Sequence, residues 1–235
     1  MRAPRITLFN DSQIAALTLL SIGVALYALY YFLNVTFFRY PARIYPPGAE
    51  VISPADGKVL YIKEVKEGEI PLCEKNGDKI PLDEMLKEKC PREGILIGIY
   101  LSLLDVHFQR SPIDGKVIST YHYKNGFNYS FARMLFRKIF GIKPWHQGCK
   151  HLSHNERNTA HIKGDYDCYV VQIADKVVNR IECYVKKGDA VMKGQKYGLI
   201  KMGSQVDLFI AGATMKDLAP LEIGARIYGG QTRII

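Results

Sequence analysis

Three short segments, far apart in the chain, carry side chains that can do nucleophilic and acid–base chemistry. Ser204 follows Gly203 near the C-terminal end, and His107 and Asp56 lie in two earlier segments. A serine, a histidine and an aspartate brought together make an activated nucleophile. A serine hydroxyl can also attack the carbonyl before it, and a glycine leaves that carbonyl unshielded and its backbone free to bend. The Gly203–Ser204 pair therefore suggests a chain that cuts itself and makes its own cofactor.

Each of these residues also has an ordinary structural interpretation. A glycine–serine pair is usually only a turn, and an Asp-Gly pair is usually a hairpin turn, which is the interpretation preferred for Asp114. A lone histidine at a strand end is more often structural than catalytic. The context of His107 shifts that balance, because Asp105 and Arg110 are close in sequence. An unperturbed imidazole pKa of about 6.5 also suits proton transfer near neutral pH.

Cysteines and histidines argue against a metal site or a disulfide framework. The five cysteines are odd in number and include no C-x-x-C pair, which favours buried free thiols in a reducing, cytoplasm-facing location. Four histidines fall between residues 146 and 161, but they lack a clean His-x-x-x-His helix and a matching set of carboxylates. We therefore predict no metal.

The elements that must position these residues begin with a membrane segment. Residues 12–38 contain no charged side chain, and about 20 apolar residues span a bilayer core. A cleavable signal peptide is the weaker alternative, since the run is too long and no small-x-small site follows it. Arginines flank both ends of the segment, so the positive-inside rule gives no clear orientation. Spanning, hairpin and peripheral arrangements of the segment in the membrane stay open. The expected location is the cell membrane, with a soluble domain facing the cytoplasm.

The rest of the chain reads as strands. A net charge of +9 is compatible with nucleic acid, anionic membrane or acidic substrate, but no nucleic-acid module motif is visible. After a proline-rich linker, short-period patterns predict strands at 51–52, 59–62, 95–101, 116–123, 169–173, 180–185 and 197–201. The hairpin rhythm of residues 185–195 is typical of lipoyl and biotinyl domains. We predict a mainly β fold with minor α, a barrel-sandwich (lipoyl/biotinyl-like) domain at 41–235 preceded by an N-terminal membrane helix at 1–40.

Two further patterns stand out in the β region. The segment Ser53–Val59 recurs as Ser111–Val117, with one substitution, which suggests two related β-layers with equivalent turns. Residues 131–140 have apolar and basic side chains at helical spacing. Such a helix either lies in a membrane interface or packs on the sheet with a solvated basic face, and periodicity alone does not separate the two.

Four segments in this order resemble the phosphatidylserine decarboxylase proenzyme family, of the short bacterial and archaeal type. They are Ser53–Val59, Asp105–Pro112, Asn155–Asn158 and Gly203–Ser204, and the resemblance extends from the apolar N-terminus to about Ala211. It implies self-cleavage into a β chain (1–203) and an α chain (204–235), with Ser204 converted to a covalent pyruvoyl cofactor. The pyruvoyl carbonyl would form a Schiff base with the lipid's serine amine and accept the electrons released with CO2.

The resemblance also implies roles for individual residues. Asp56 would orient the catalytic histidine. His107 matches the first of the family's two histidines, which is linked to decarboxylation. The second, linked to self-cleavage, falls on Arg110, and an arginine is not a base at neutral pH, so His107 is left to serve both steps. The polar cluster before residue 159 would lie near the active site, and Arg110, Asn155 and Arg157 are the predicted substrate-binding residues.

The implied partners are a serine-headgroup phospholipid, the membrane, and the chain's own second fragment in an α–β heterodimer, with further oligomerisation open and no nucleic acid. Phosphatidylserine and archaetidylserine are not distinguished. One alternative is a membrane-tethered biotinyl/lipoyl-like carrier domain modified at Lys201, since residues 200–202 resemble a biotin-attachment turn. Another is a non-catalytic assembly or fusion protein. Mass measurement separates the three as two fragments, a lysine adduct or an unmodified chain.

Overall fold

The structure, a computed structural model, describes residues 10–70, 80–124, 126–142, 150–176, 181–201 and 204–235, and at residues 80, 133, 135, 138, 153 and 204 it describes the backbone alone. The chain forms two compact units, Met1–Arg39 and Tyr40–Ile235.

The first unit is an apolar helix. Helix α1 (Asp11–Tyr31) continues into a π-helical turn at Phe32–Thr36. Asn10 begins it with a capping box: its side chain accepts the N–H of Gln13 at 2.8 Å, and the Gln13 side chain accepts the N–H of Asn10 at 3.0 Å. The 26 residues of Asp11–Thr36 extend about 39 Å at 1.5 Å per residue, which exceeds a hydrocarbon core of about 30 Å. The predicted apolar N-terminal helix is confirmed, and it suits a membrane span by length and composition.

The second unit consists mostly of strands. They are β1 (Gly57–Val65), β2 (Glu69–Ile70), β3 (Ile80–Pro81), β4 (Gly94–Leu101), β5 (Phe108–Arg110), β6 (Gly115–Tyr123), β7 (Arg157–Lys163), β8 (Asp167–Ala174), β9 (Ile181–Cys183), β10 (Ala190–Val191), β11 (Lys196–Ile200), β12 (Ser204–Ala211) and β13 (Arg226–Ile227). Its helices are α2 (Leu82–Leu86), α3 (Ala132–Ile139) and α4 (His151–His154).

Eight of these strands form one curled antiparallel sheet, in the order β10-β6-β7-β8-β12-β4-β1-β13. Strand β12 pairs along its length with β8 on one side and β4 on the other. A second sheet has the order β5-β11-β9, and β2 pairs with β3. The predicted mainly β fold with minor α is confirmed. The likeness to lipoyl and biotinyl barrel-sandwiches stays a prediction.

Both faces of the large sheet are covered, because its central strands are apolar on both sides. On one face Val206, Leu208 and Ile210 of β12 share a core with Tyr197 and Ile200 of the small sheet. On the other face Phe209 shares a core with residues of the three helices and with Phe131, which precedes α3; the helical residues are Leu82, Met85, Leu86, Met134 and Leu152. Residues of β12 therefore alternate between a sheet-covered and a helix-covered core.

The repeated segments fold as two equivalent turns that face each other. The hydroxyl of Ser53 donates to the carbonyl of Ala55 at 2.8 Å, and that of Ser111 donates to the carbonyl of Ile113 at 2.7 Å. The main chains exchange reciprocal bonds, from Ile52 N to Pro112 O at 3.0 Å and from Arg110 N to Pro54 O at 2.8 Å. The predicted pair of equivalent turns is confirmed.

Each turn ends in a glycine because a neighbouring strand passes too close for a side chain. A Cβ at Gly57 would lie 2.3 Å from the carbonyl oxygen of Tyr100, and one at Gly115 would lie 2.5 Å from that of Lys163. Both obstacles are backbone atoms of a paired strand, so neither can move aside without breaking the sheet. Each Asp-Gly pair therefore lies where a strand enters the large sheet close to the backbone of its neighbour.

Candidate functional site

Ser204 lies where the chain passes from the small sheet into the large one. Strand β11 ends at Ile200, and Ser204 begins β12, opposite Leu101 of β4 and Ala174 of β8 in register. Gly203, the other half of the predicted cleavage site, and the side chain of Ser204 lie outside the described residues. The predicted scissile bond therefore belongs to the connection between two sheets, immediately before a strand that is hydrogen-bonded on both sides.

His107 lies beside the end of β11. Its carbonyl oxygen accepts the N–H of Ile200 at 3.2 Å, continuing the pairing of β5 with β11. Ser204 follows Ile200 by four residues, which span at most about 14 Å of extended chain. His107 is fully buried. The small sheet thus brings His107 to the junction that Ser204 occupies.

The tautomer of His107 follows from its neighbour. Its Nδ1 lies 2.8 Å from the carbonyl oxygen of Asp105. A carbonyl oxygen only accepts, so Nδ1 carries the hydrogen, and in the neutral ring Nε2 carries the lone pair. Asp105 is itself held, because its carboxylate accepts the N–H and the hydroxyl of Ser102, each at 2.7 Å, and pairs with Arg226. The loop therefore orients the imidazole so that Nδ1 faces the Asp105 carbonyl and the basic nitrogen, Nε2, points away from it.

Two buried glutamines, which the sequence analysis missed, join the His107 loop to the large sheet. The amide of Gln109 donates to the carbonyl of His107, and the amide of Gln172 donates to Gln109 Oε1, each at 2.8 Å. Gln172 belongs to β8 and lies opposite Val206 of β12 in register. An isolated glutamine has no sequence pattern that marks it, so only the fold reveals this connection.

Asp56 is buried and ion-paired. Its carboxylate pairs with the guanidinium of Arg43, with Nη2 and Oδ2 2.7 Å apart, and accepts the N–H of Gly229 at 2.8 Å. Asp114, its counterpart in the repeated turn, is exposed and accepts the N–H of Lys193 at 2.8 Å. The two equivalent aspartates thus differ in burial and in their cationic partner. The predicted role of Asp56 in orienting the histidine stays a prediction.

Arg110 holds the linker that precedes the first turn. Its guanidinium donates to the carbonyls of Gly194 at 3.1 Å and Pro41 at 2.5 Å, and it stacks 4.0 Å from the ring centre of Tyr40. Burial lowers the pKa of Arg110. These contacts give Arg110 a structural task, and its predicted contact with substrate stays a prediction.

Asn155 fixes the strand end that faces Ser204. Its side-chain amide donates to the carbonyl of Ala174 at 2.7 Å and to that of Tyr129 at 2.8 Å, and its oxygen accepts the N–H of Tyr129 at 2.7 Å. Ala174 is the register partner of Ser204. Asn155 therefore supports the backbone beside the predicted cleavage site, while substrate binding by Asn155 stays a prediction.

Arg157 is fully buried and joins three elements through main-chain carbonyls. It donates to Asn155 O at 3.0 Å, Met85 O at 2.9 Å, Leu152 O at 2.7 Å and His151 O at 3.3 Å. Burial lowers the pKa of Arg157 to about 10. These bonds tie β7 to α2 and α4, which favours a positioning task. The predicted contact of Arg157 with a substrate anion stays a prediction.

A second buried polar network lies on the helix-covered face of β12, and the sequence analysis missed it. The amide of Gln205 donates to Asp207 Oδ1 at 2.8 Å and to the Tyr61 hydroxyl at 2.9 Å, and that hydroxyl donates to Asp207 Oδ2 at 3.0 Å. His151 Nε2 lies 3.3 Å from Gln205 Oε1. Burial raises the pKa of the Asp207 carboxyl to about 7. The first residues of β12 are thus held by a network that contains a titratable acid.

This network predicts a pH-dependent stability. The pKa of Asp207 is raised from 3.8 to about 7 in the folded chain, so between these values the folded chain keeps a proton that the unfolded chain releases. Stability therefore decreases as pH rises through that window. We expect the Tm of the uncleaved Ser204→Ala protein to fall more between pH 5 and 8 than that of Ser204→Ala/Asp207→Asn, whose amide does not titrate. If thermal unfolding showed the same decrease of Tm with pH in both proteins, the prediction would be contradicted.

Comparisons of the sequence with known proteins identify a family and several relatives. A family model described as phosphatidylserine decarboxylase matches residues 31–235. A protein of Methanothermobacter thermautotrophicus, provisionally named an archaetidylserine decarboxylase proenzyme, is 37% identical over 194 residues, covering 81% of this chain and 75% of the relative. A phosphatidylserine decarboxylase proenzyme of Carboxydothermus hydrogenoformans is 34% identical over 216 residues, covering 91% and 83%.

A third relative extends the same result. A phosphatidylserine decarboxylase proenzyme of Mycolicibacterium gilvum is 35% identical over 204 residues, covering 85% of this chain and 72% of the relative. The family match covers well over half of the chain, including both repeated turns, His107 and Ser204. The chain therefore belongs to the phosphatidylserine decarboxylase family, and it is a decarboxylase of the carboxy-lyase class.

Proposed function

We propose that this chain is a self-processing, pyruvoyl-dependent decarboxylase that converts a serine-headgroup phospholipid, phosphatidylserine or archaetidylserine, into the ethanolamine lipid and CO2. The observation that carries the proposal is the contact between the His107 carbonyl and Ile200, which puts a buried histidine of defined tautomer at the junction before Ser204. The family relationship supports the reaction class, and the position of His107 beside Ile200 supports a role for this histidine in the reaction.

In the proposed maturation, Ser204 Oγ attacks the carbonyl carbon of Gly203. The peptide C–N bond breaks and an ester forms. Loss of the Ser204 α-proton then expels the Gly203 carboxylate and leaves dehydroalanine, which takes up water and releases ammonia to become a pyruvoyl group. His107 is the proposed base, because its Nδ1 carries the hydrogen in the bond to Asp105 O, and in this tautomer Nε2 is the basic nitrogen.

The residues around Ser204 fit this cofactor. A pyruvoyl group supplies a carbonyl that binds the substrate amine and accepts the electron pair released with CO2. It would begin β12, where pairing with β4 and β8 fixes its backbone on both sides. Arg110 and Arg157, which the family resemblance implies as substrate-binding residues, contact protein carbonyls, so headgroup binding would require an exchange of those bonds.

The two product chains are proposed to stay together as a heterodimer. The α chain, residues 204–235, would supply β12, which lies inside the large sheet. Its C-terminal end also bonds to the β chain, from Ser53 N to Thr232 O at 2.9 Å and from Ile234 N to Val51 O at 2.8 Å. Removal of one peptide bond leaves these pairings intact. The proposed location is the membrane, through residues 1–40, with the 41–235 domain on the cytoplasmic side.

The test is a lipid assay on the purified full-length chain. Vesicles that contain phosphatidylserine or archaetidylserine should release CO2 and accumulate the ethanolamine lipid, while the same vesicles with Ser204→Ala protein should not. The carrier alternative predicts instead an intact chain with an adduct on Lys201, whose Nζ lies 3.0 Å from Glu182 Oε1. An intact chain with a lysine adduct and no lipid turnover would overturn the proposal.

The repeated turns offer a matched pair of variants for Asp56. Asp56→Asn removes the charge that faces buried Arg43, and breaking a buried ion pair costs about 3–5 kcal/mol. We expect slower self-cleavage and a lower Tm. Asp114→Asn changes the same residue in an exposed turn and should mature at the parent rate. Cleavage followed by gel over time and thermal unfolding measure both, and equal behaviour of the two variants would remove Asp56 from maturation.

A further inference from the structure

One segment of the chain carries most of its net charge. From Gly115 to Asn155 there is no Asp or Glu, and seven residues are Lys or Arg: Lys116, Lys124, Arg133, Arg137, Lys138, Lys143 and Lys150. The whole chain has a net charge of +9. We call residues 115–155 the basic segment. Such a concentration of one sign attracts an anionic surface.

The basic segment also exposes large apolar side chains. Phe127, Phe136, Ile139 and Phe140 are all more than half exposed, and the rings of Phe136 and Phe140 lie 4.5 Å apart. Burial of Phe131 and Met134 in the core already fixes α3 to the fold. The exposed residues are therefore not the face that holds the helix. One face of α3 thus packs on the core, and another face is exposed.

Two lysines lie over aromatic rings that precede α3. Lys176 Nζ lies 5.7 Å from the ring centre of Phe127, and Lys150 Nζ lies 5.6 Å from that of Tyr129. The nearby carboxylate of Asp175 accepts the N–H of Phe131 at 3.0 Å, at the start of α3. Aromatic and apolar side chains with a basic rim are typical of elements that lie in a membrane interface.

One end of the patch is connected to the predicted cleavage site, because the ring centre of Phe127 lies 5.4 Å from that of Tyr129. Tyr129 exchanges hydrogen bonds with Asn155 in both directions, and Asn155 donates to the carbonyl of Ala174. Ala174 is the register partner of Ser204. A surface that contacts the patch therefore lies a few side chains away from the start of β12.

We propose that the basic segment docks on an anionic lipid bilayer, with Phe127, Phe136, Ile139 and Phe140 inserted at the interface. The charge attracts the bilayer, and the apolar side chains supply burial that salt does not screen. The charge and exposure of this surface are sufficient to propose docking. The purpose of docking, which is to bring the bilayer to the site at Ser204, rests on the proposed decarboxylase function.

The test measures insertion in the full-length chain, reconstituted into vesicles. The chain has one tryptophan, so Phe140→Trp in a Trp145→Phe background gives a single probe. Acyl chains that carry a nitroxide should quench it in vesicles of phosphatidylcholine with phosphatidylglycerol, and much less in phosphatidylcholine alone. Met192→Trp in the same background is the control, because Met192 is exposed and follows β10, which pairs with the opposite end of β6.

Charge and salt sharpen the result. The Debye length falls from about 10 Å at 0.1 M salt to about 3 Å at 1 M, so quenching should decrease with salt. Lys124→Gln and Lys150→Gln should each lower the ratio of docked to undocked protein about fivefold. The proposal would be overturned if the Phe140→Trp probe were quenched no more than the Met192→Trp control. It would also be overturned if a soluble polyanion protected the basic segment while the acyl chains did not quench the probe. Ser204→Ala should leave quenching unchanged, which separates failure of docking from failure of catalysis.

Discussion

Ser204→Ala should remain a single chain of 235 residues and release no CO2 from lipid. The parent should separate into chains of 203 and 32 residues, since 235 − 203 = 32. Alanine has no hydroxyl to attack the Gly203 carbonyl, so neither the ester nor the pyruvoyl group can form. Intact-mass spectrometry checks the number of chains. The small chain should lack a free N-terminal amine, resist Edman sequencing, and be lighter than a serine-ended chain by the mass of one ammonia.

Ser204→Thr is the matched control, because it keeps the hydroxyl. It should still cleave, more slowly, since a β-branched side chain has fewer accessible rotamers from which its hydroxyl can attack. A parent chain that is uncleaved and active, or a Ser204→Ala chain that cleaves, would end the self-processing model. A Ser204→Ala protein that unfolds at a much lower temperature than the parent precursor would instead show that the serine is needed for folding.

His107→Ala should have the second largest effect. Loss of a positioned acid–base group typically lowers a rate about 10²- to 10⁴-fold, and we expect a loss of this size in self-cleavage and in decarboxylation. The reason is that His107 is the histidine beside Ile200, with its hydrogen on Nδ1 and its lone pair on Nε2. Arg110, at the position of the family's second histidine, is not a base. The decarboxylation rate should be measured per cleaved molecule, so that slow maturation is not counted twice.

His122→Ala is the control for losing an imidazole. His122 is partly exposed and lies 2.7 Å from Glu156 Oε1, so its loss should leave both rates near the parent values. Arg110→Ala tests the neighbouring position. It removes the bonds to Gly194 and Pro41, and we expect a lower Tm with cleavage retained. A His107→Ala protein that matures and turns over at the parent rate would leave Ser204 without its proposed base.

Two of the strands that the sequence analysis missed, β7 and β12, belong to the candidate site. Patterns of apolar residues identified β4, β6, β8 and β11, but β7 and β12 were not predicted. Both carry buried polar side chains, such as Arg157 in β7 and Asp207 in β12. Strand β7 begins with the polar residues Arg157, Asn158 and Thr159, which give no apolar alternation. The buried polar side chains of β7 and β12 find their hydrogen-bond partners only in the folded sheet.

Local properties of this protein were determined by the sequence alone. The apolar run of α1, the two repeated Asp-Gly turns and the four family segments depend on neighbours within a few residues, so composition and spacing were enough to predict them. The mainly β class followed from the same short-range patterns. The chemistry expected at Ser204 and His107 also came from residue types and their order along the chain.

Only the tertiary structure decided which partners these residues have. Asp56 and Asp114 lie in segments that differ at a single residue, and what distinguishes the two aspartates is burial and the ion pair of Asp56 with Arg43. Tyr61 and Asp207 are 146 residues apart and share one hydrogen bond. Burial in the sheet sets the pKa of Asp207 and turns Arg157 toward main-chain carbonyls. Desolvation and long-range hydrogen bonding act between segments that only strand pairing brings together, so no local pattern contains them.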